Sequence, residues 1–252
     1  MKVAIFVPNI NQGGTEKVGQ LLANFFLAES ISVTLITMGS KDYPFKINCS
    51  HLSIDKDLKE KPNIFSRRKA LIKILKYKKI DCVLSMGEIP NFLNAILPRK
   101  YFKVIRLTNA PIGLRGFKGF LIRQAVKLSH LLANKTIVPV NELSKNFNLL
   151  TGIKPVVEIY NPVSVKKVKS NKSPRYFLNI GQLVEQKDHL FLMKVFKRYC
   201  EDGGKRNLVL IGQGEKETCI KNFIENNDLQ KRVKIIEWVE DPYKYMANAL
   251  AL

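Results

Sequence analysis

The 252-residue chain predicts an α/β protein made of two parallel-sheet domains, the second of them incomplete. Three observations carry that prediction. Strand and helix patterns alternate almost without interruption, which is the signature of a parallel sheet covered on both faces. One polar, basic, proline-bracketed stretch, NPVSVKKVKSNKSPR, breaks the alternation and reads as a linker. Glycines recur where strands turn into helices, at the strand ends where such sheets bind ligands.

The first element is Val3–Val7, a β-branched and aromatic run ended by Pro8. It reads as a buried strand, because the apolar stretch is too short for the core of a signal peptide. From Thr15 onward Val18, Leu21, Leu22, Phe25 and Phe26 fall at helical spacing, so a helix is expected over Glu16–Ala28. Gly13 and Gly14 therefore stand at a strand-to-helix turn, where free helix N–H groups favour negative charge and a missing Cβ lets a ligand approach; a tight turn alone would explain them too. Further strands are expected at Ser32–Thr37, Cys82–Met86, Lys103–Leu107, Thr136–Pro139 and Val156–Tyr160, with helices near Ser66–Lys79, Pro90–Leu97, Lys118–Leu132 and Glu142–Leu150. After the linker the alternation restarts with Tyr176–Ile180, a helix from about Lys187 to Cys200, Leu208–Ile211, a helix from Glu215, Val233–Trp238 and a helix from Pro242.

The division is thus residues 1–162, a linker at 163–175, and 176–252. Both parts are expected to be Rossmann-like, with the cleft between them as the default site. The second stops at ANALAL, where Leu250–Leu252 reads as the start of another strand. That leaves the expectation of a truncated domain whose nascent apolar strand lacks its neighbours.

Composition fits a globular chain, 46% hydrophobic and 25% charged, with no apolar run near the roughly 18 residues of a membrane span. The net charge is +21. Residues 1–162 hold 25 basic and 10 acidic side chains, and the remainder 17 and 11, so the excess lies in the first domain. An anionic partner follows, with nucleic acid, an anionic membrane face or a phosphorylated small molecule as the candidates. No zinc spacing, aromatic-basic run or recognition-helix pattern supports nucleic acid. Cys49, Cys82, Cys200 and Cys219 show no paired or His-linked spacing, which predicts reduced, mostly buried thiols in a cytoplasmic protein and no metal site. The stretch SRRKALIKILKYKK places Leu71, Ile74 and Leu75 on one helical face and surrounds them with basic residues, among them Arg67, Arg68, Lys73 and Lys76. GLRGFKGFLIRQAVKLSHLL repeats the pattern. Each is either a core-facing helix with a solvated outer face or a helix that meets an anionic membrane.

Two later turns bear on chemistry. In YFLNIGQLVEQKDHLFLMKVF, Gly181 follows a strand and Lys187 stands near the next helix start, so a free amide and a cation can meet a phosphate. LVLIGQGEKE repeats the turn with Gly212 and Gly214. Neither has the full dinucleotide fingerprint of three spaced glycines with an acidic residue about 20 positions on, which disfavours a nicotinamide-dependent oxidoreductase. Taken together, the turns favour a nucleotide-diphosphate ligand.

GGTEK (Gly13–Lys17), YNPV (Tyr160–Val163), NIGQLVEQKDH (Asn179–His189), LVLIGQGE (Leu208–Glu215) and VKIIEWVEDPYKYMANA (Val233–Ala249) run through essentially the whole chain. In that order and spacing they resemble the family-4-type glycosyltransferases of the glycosyltransferase B type. The resemblance implies transfer of a sugar from a nucleotide-sugar donor to a glycan or lipid-linked acceptor in cell-surface polysaccharide or glycolipid synthesis, with retention and without an essential metal or other cofactor. It implies donor contacts at Gly13, Gly14, Gly181, Lys187, Gly212 and Trp238, with Lys187 neutralising the departing diphosphate. Glu16, Arg106 and Asn109 would lie on the acceptor side, and Arg67, Arg68, Lys73 and Lys76 would meet an anionic membrane surface on its cytoplasmic, inner face.

Three departures from the family pattern are visible. The histidine usual near Arg106 and Asn109 is absent, so no catalytic base is assigned. Gln182 stands where an arginine is common. The family's pair of glutamates separated by seven residues would fall beyond Leu252. The sequence therefore supports two readings, an active transferase and a catalytically silent remnant or binding subunit of one.

Overall fold

A computed structural model of the chain describes residues 1–8, 13–39, 47–55, 58, 62–108, 116–140, 143, 145, 147, 156–163 and 175–251. The chain divides into two units, Met1–Val163 and Ser164–Leu252.

In the first unit the strands are β1 (Lys2–Val7), β2 (Ser32–Thr37), β3 (Ser50–Ser53), β4 (Cys82–Met86), β5 (Phe102–Arg106), β6 (Lys135–Val138) and β7 (Val157–Glu158). They form one sheet in the order β3-β2-β1-β4-β5-β6-β7, parallel throughout. The central place of β1 explains its unbroken apolar run: Val3 to Val7 are all buried, as a strand covered on both faces requires. Among the described residues the sheet is covered by α1 (Gly14–Ala28), α2 (Ile64–Tyr77), α3 (Glu88–Ala95) and α4 (Gly116–Leu132).

The chain moves one way along the sheet through α1 and the other way through α2, α3 and α4, and right-handed crossovers then put α1 on one face and the other three on the opposite face. The packing agrees. Val18 and Ala23 of α1 join Val3, Ile5 and Val7 in one cluster, whereas Leu71 and Leu75 of α2 and Leu93 of α3 join Ala4, Phe6 and Ile36 in another. Burying two leucines contributes about 1.5–3 kcal/mol each. That fixes the rotation of α2 and turns its lysines outward.

β3, with the sequence SHLS, is not among the expected strands. It is a half-buried edge strand without β-branched residues, and its register is imposed by β2 through Thr34↔Ser50 to Thr37↔Ser53. The helix expected over 142–150 falls outside the described residues except for positions 143, 145 and 147. Leu143 and Phe147 pack on Leu107 and Val138.

The second unit holds β8 (Tyr176–Ile180), β9 (Asn207–Ile211), β10 (Val233–Ile236) and β11 (Ala249–Ala251) in the parallel order β10-β9-β8-β11. A 3-10 turn spans Glu185–Lys187, followed by α5 (His189–Glu201), α6 (Glu217–Asn226) and α7 (Tyr243–Met246). Met193, Phe196, Ile220 and Ile224 pack with Leu208 and Leu210 on one sheet face; Tyr245 and Met246 pack with Val209 and Ile211 on the other.

Two expectations change here. The apolar stretch at 249–251 does not stand without a neighbour: β11 pairs with β8, with a register shift between Ala249 and Ala251. The cysteines are not mostly buried, since Cys49, Cys82 and Cys200 are half-buried and Cys219 is exposed. Residues 164–174, most of the expected linker, lie outside the described residues. Among the described residues no helix is long and apolar enough to cross a membrane.

Candidate functional site

At the carboxyl end of β1, Gly13 is the N-cap of α1 in an extended conformation, and no side chain caps the helix from that position. The cap comes from within. Glu16, in the third helical position, accepts hydrogen bonds from the Gly13 N–H and from its own N–H, which is the reach-back half of a capping box. Glu16 is only 5% exposed, and burial raises its pKa above the ordinary glutamate value even though both hydrogen bonds pull the other way. Glu16 is therefore anchored into the first unit's own helix start. A Cβ at Gly14 would meet nothing within 4 Å, and its backbone is ordinary helix. The fold does not need a glycine there, and the bare Cα leaves open space beside the helix N-terminus.

Farther along the same sheet edge, Arg106 ends β5 and is 4% exposed. Its Nη2 donates to Asn161 Oδ1 at 2.7 Å and to the Ile159 carbonyl at 3.2 Å. Burial pulls the guanidinium below its usual pKa. Arg106 is thus a clasp on the segment that follows β7, joining two motifs, VIRLTNAP and YNPV, that stand far apart in sequence. The Arg106 carbonyl in turn accepts from Asn91 Nδ2 at 2.9 Å, and Asn91 Oδ1 accepts from Ser85 Oγ at 2.8 Å. A small hollow lined by Gly87, Glu88, Asn91, Leu107, Thr108, Val126 and Ser129 opens beside this network. Asn109 lies outside the described residues.

The second unit builds its strand end differently. The turns after β8 and β9 are zipped to each other: Gly181 N–H donates to Ile211 O at 2.9 Å, Leu183 N–H to Gln213 O at 2.8 Å and Lys216 N–H to Leu183 O at 2.9 Å. The turns lie so close that a Cβ on Gly212 would overlap the Gly181 carbonyl, and one on Gly214 would overlap Leu183 backbone. Gly212 therefore serves the contact between turns. Gly181 has nothing within 4 Å of a built Cβ, so it is the glycine of this pair that faces open space.

Lys187 is exposed, closes the 3-10 turn and precedes the helix rather than opening it. Asp188, left-handed at φ 46°, is the N-cap of α5, and its carboxylate accepts from Phe191 N–H at 3.3 Å. His189, the first residue of α5, is 3% exposed; its ring pairs through Nε2 with Asn179 Oδ1 at 3.0 Å, while Nδ1 is buried without a partner. Burial and the neighbouring Lys187 lower its pKa. His189 and Lys216 line a second hollow with Val184, Glu185, Asp188 and Leu190, and Lys216 pairs with Glu185. His189 and Lys216 received no role from the sequence. The signal available for His189 was its place directly after the Asp188 cap. Trp238 is 47% exposed just past β10, beside Glu237, whose carboxylate accepts from Gln213 Nε2 at 3.5 Å.

The basic side chains of α2 divide. Arg67 grips Asp55, with Nη2 at 2.7 Å from Oδ2, and Arg68 Nε donates to the Ile96 carbonyl at the end of α3 at 2.9 Å. Lys73 and Lys76 are exposed. Two of the four expected membrane contacts are therefore committed inside the unit.

Residues 162–252 match the family described as Glycosyl transferases group 1. An uncharacterized glycosyltransferase of Methanocaldococcus jannaschii is 25% identical over 212 residues, covering 74% of this chain and 52% of the relative. The chain thus spans about half the length of that protein. An N-acetylgalactosaminyltransferase of Campylobacter jejuni, named for a diphospho-undecaprenol acceptor, is 23% identical over 270 residues, or 98% of this chain and 72% of the relative. Among solved structures, Anabaena HepE in complex with UDP and glucose superposes with a TM-score of 0.77 at 14% identity, covering 99% of this chain and 72% of that one, a likeness of fold. The chain is thus similar to glycosyltransferases, in sequence over residues 162–252 and in the fold of its two parallel sheets.

Proposed function

We propose that the protein transfers a sugar from a nucleotide-sugar to a glycan or lipid-linked acceptor in the synthesis of cell-surface polysaccharide or glycolipid, at the anionic inner face of the cell membrane. The observation that carries this reading is where the family match falls: residues 162–252 include the strand end at which Gly181 is open and the exposed Lys187 makes no ion pair with a described residue. A diphosphate needs such a place, with bare backbone to approach and a cation to neutralise charge as it leaves. Trp238 offers a half-exposed ring for the base. For the first unit we assign Gly13 and Gly14 to donor contact and Glu16, Arg106 and Asn109 to the acceptor side, the buried Glu16 and Arg106 by holding local backbone rather than by touching the acceptor. A lipid-linked acceptor accords with the Campylobacter relative's name, and the excess of basic residues in the first 162 positions suits an anionic membrane.

Since a fold relative was solved with UDP, that nucleotide and its sugars are the ones to test first. Calorimetry should show binding by the parent chain, and Lys187→Ala should weaken it by about 1.5–3 kcal/mol, the worth of a charge-assisted contact. Equal affinity for both proteins removes Lys187 from the site; absence of binding across the common nucleotide-sugars overturns the donor reading.

A further inference from the structure

α4 is built inside out. Phe117 (77% exposed), Phe120 (48%), Leu121 (51%), Leu128 (42%), Leu131 (51%) and Leu132 (41%) face solvent, while Ser129 and His130 are buried. At helical spacing the six apolar side chains share one arc of about 120°, with Gln124 as the polar residue inside it. An ordinary surface helix does the reverse. The inner face is not an accident of rotation, because its polar groups are satisfied. Ser129 Oγ donates to the Ala125 carbonyl at 2.7 Å, and His130 Nδ1 pairs with Thr136 Oγ1 at 2.8 Å. His130 also packs edge-on against Phe147, with ring centroids 5.0 Å apart. Turning the helix to hide its leucines would break both His130 contacts. The outward stripe is therefore fixed by the fold, and a fixed apolar stripe of this size marks a contact surface.

Charge selects the occupant. Neither α2 nor α4 contains an aspartate or a glutamate. Lys127 borders the stripe on α4, and Lys69, Lys73 and Lys76 stand exposed on α2, which lies on the same face of the sheet. An apolar stripe bordered by lysines, with no carboxylate on either helix, fits a surface that is apolar within and anionic at its boundary. We propose that the outer face of α4 inserts into the headgroup layer of an anionic phospholipid bilayer, while the exposed lysines of α2 and Lys127 supply long-range attraction. This rests on the membrane reading above and moves the main contact from α2 to α4.

The test uses the 252-residue chain and vesicles of phosphatidylcholine with and without phosphatidylglycerol. The parent should sediment with the anionic vesicles. Leu121→Ser combined with Leu128→Ser should weaken that binding at least about tenfold, since two apolar side chains lose their burial in lipid. Its melting temperature should be unchanged, because both side chains stand outside the core. Leu128→Trp should gain a blue-shifted emission on anionic vesicles above the Trp238 background. Unimpaired binding of the serine variant with unshifted emission overturns α4 as the insertion surface and leaves the membrane reading standing. No binding of the parent to any vesicle overturns both. A parent dimer that becomes monomeric in the serine variant, with vesicle binding unchanged, assigns the face to a second copy and overturns the proposal.

Discussion

The two units repeat one strand order. Reading outward from the first strand of each, β3-β2-β1-β4 and β10-β9-β8-β11 follow the same path, and in both a glycine-bearing turn follows the first strand. They finish that turn by different means. The first unit closes its helix start with a buried carboxylate, Glu16, and leaves Gly14 without a neighbour. The second presses two turns together, uses Gly212 and Gly214 for that contact, and leaves Gly181 open. Gly14 and Gly181, each after the first strand of its unit, are thus both open, whereas Gly212 and Gly214 after β9 hold two turns together, and only the surroundings of each Cα tell them apart.

The largest effect expected from this difference is at Gly212. Gly212→Ala forces a Cβ against the Gly181 carbonyl, and backbone on both sides must move, so the second unit should lose roughly 3 kcal/mol or more. Hydrogen exchange should show protection lost in β8 and β9 and kept in β1 and β4. A variant as stable as the parent would mean that the two turns are not held together as described.

Next comes Glu16. A carboxyl group whose pKa is raised in the folded state binds its proton more tightly there than in the unfolded chain. Its contribution to stability is therefore full below the ordinary glutamate range and declines as pH rises through the raised value. Glu16→Gln should abolish that slope while keeping the reach-back hydrogen bond, with a change of no more than about 1 kcal/mol at pH 7. Denaturant melts from pH 4 to 8 would read this directly, and parallel slopes for the two proteins would refute a buried, titrating carboxylate.

The smallest stability effect is at the open glycines. Gly14→Ala adds a methyl group to empty space in a helix and should leave stability unchanged or raise it by up to about 1 kcal/mol. If the donor approaches this bare backbone, nucleotide-sugar affinity should nevertheless fall in calorimetry. Unchanged affinity would reduce Gly14 to a turn residue and sharpen the contrast with the second unit.

Alternation and spacing made most of the fold legible. β2, β4 and β8 have the boundaries read from the sequence, because each is a short run rich in β-branched or apolar residues set between turns. β3 was illegible because SHLS has no pattern of its own and becomes a strand only through β2. The candidate site was legible as residue types at turns and illegible as partnerships. Nothing in GGTEK says that the glutamate turns back on its own helix, and nothing in SRRK says that the two arginines reach Asp55 and Ile96. Such pairings depend on elements far along the chain. The inverted face of α4 was hidden for a related reason: an amphipathic pattern shows that one side is apolar, and only packing shows which side faces in.

The Arg106 clasp has a mechanical meaning. Among the described residues β7 is two residues long and pairs with β6 at Ile137↔Val157 and Val138↔Glu158, with one further bond from the Ile159 N–H to the Val138 carbonyl, a short seam for the place where the first unit hands the chain onward. Tension applied beyond Val163 arrives first at Asn161 and Ile159, where the buried guanidinium of β5 grips both, and bears fully on the β6–β7 seam only after that grip yields. The clasp acts as a strain relief, as on a cable where it leaves its housing: the load is taken at a side chain so that the weakest seam of the sheet does not have to bear it.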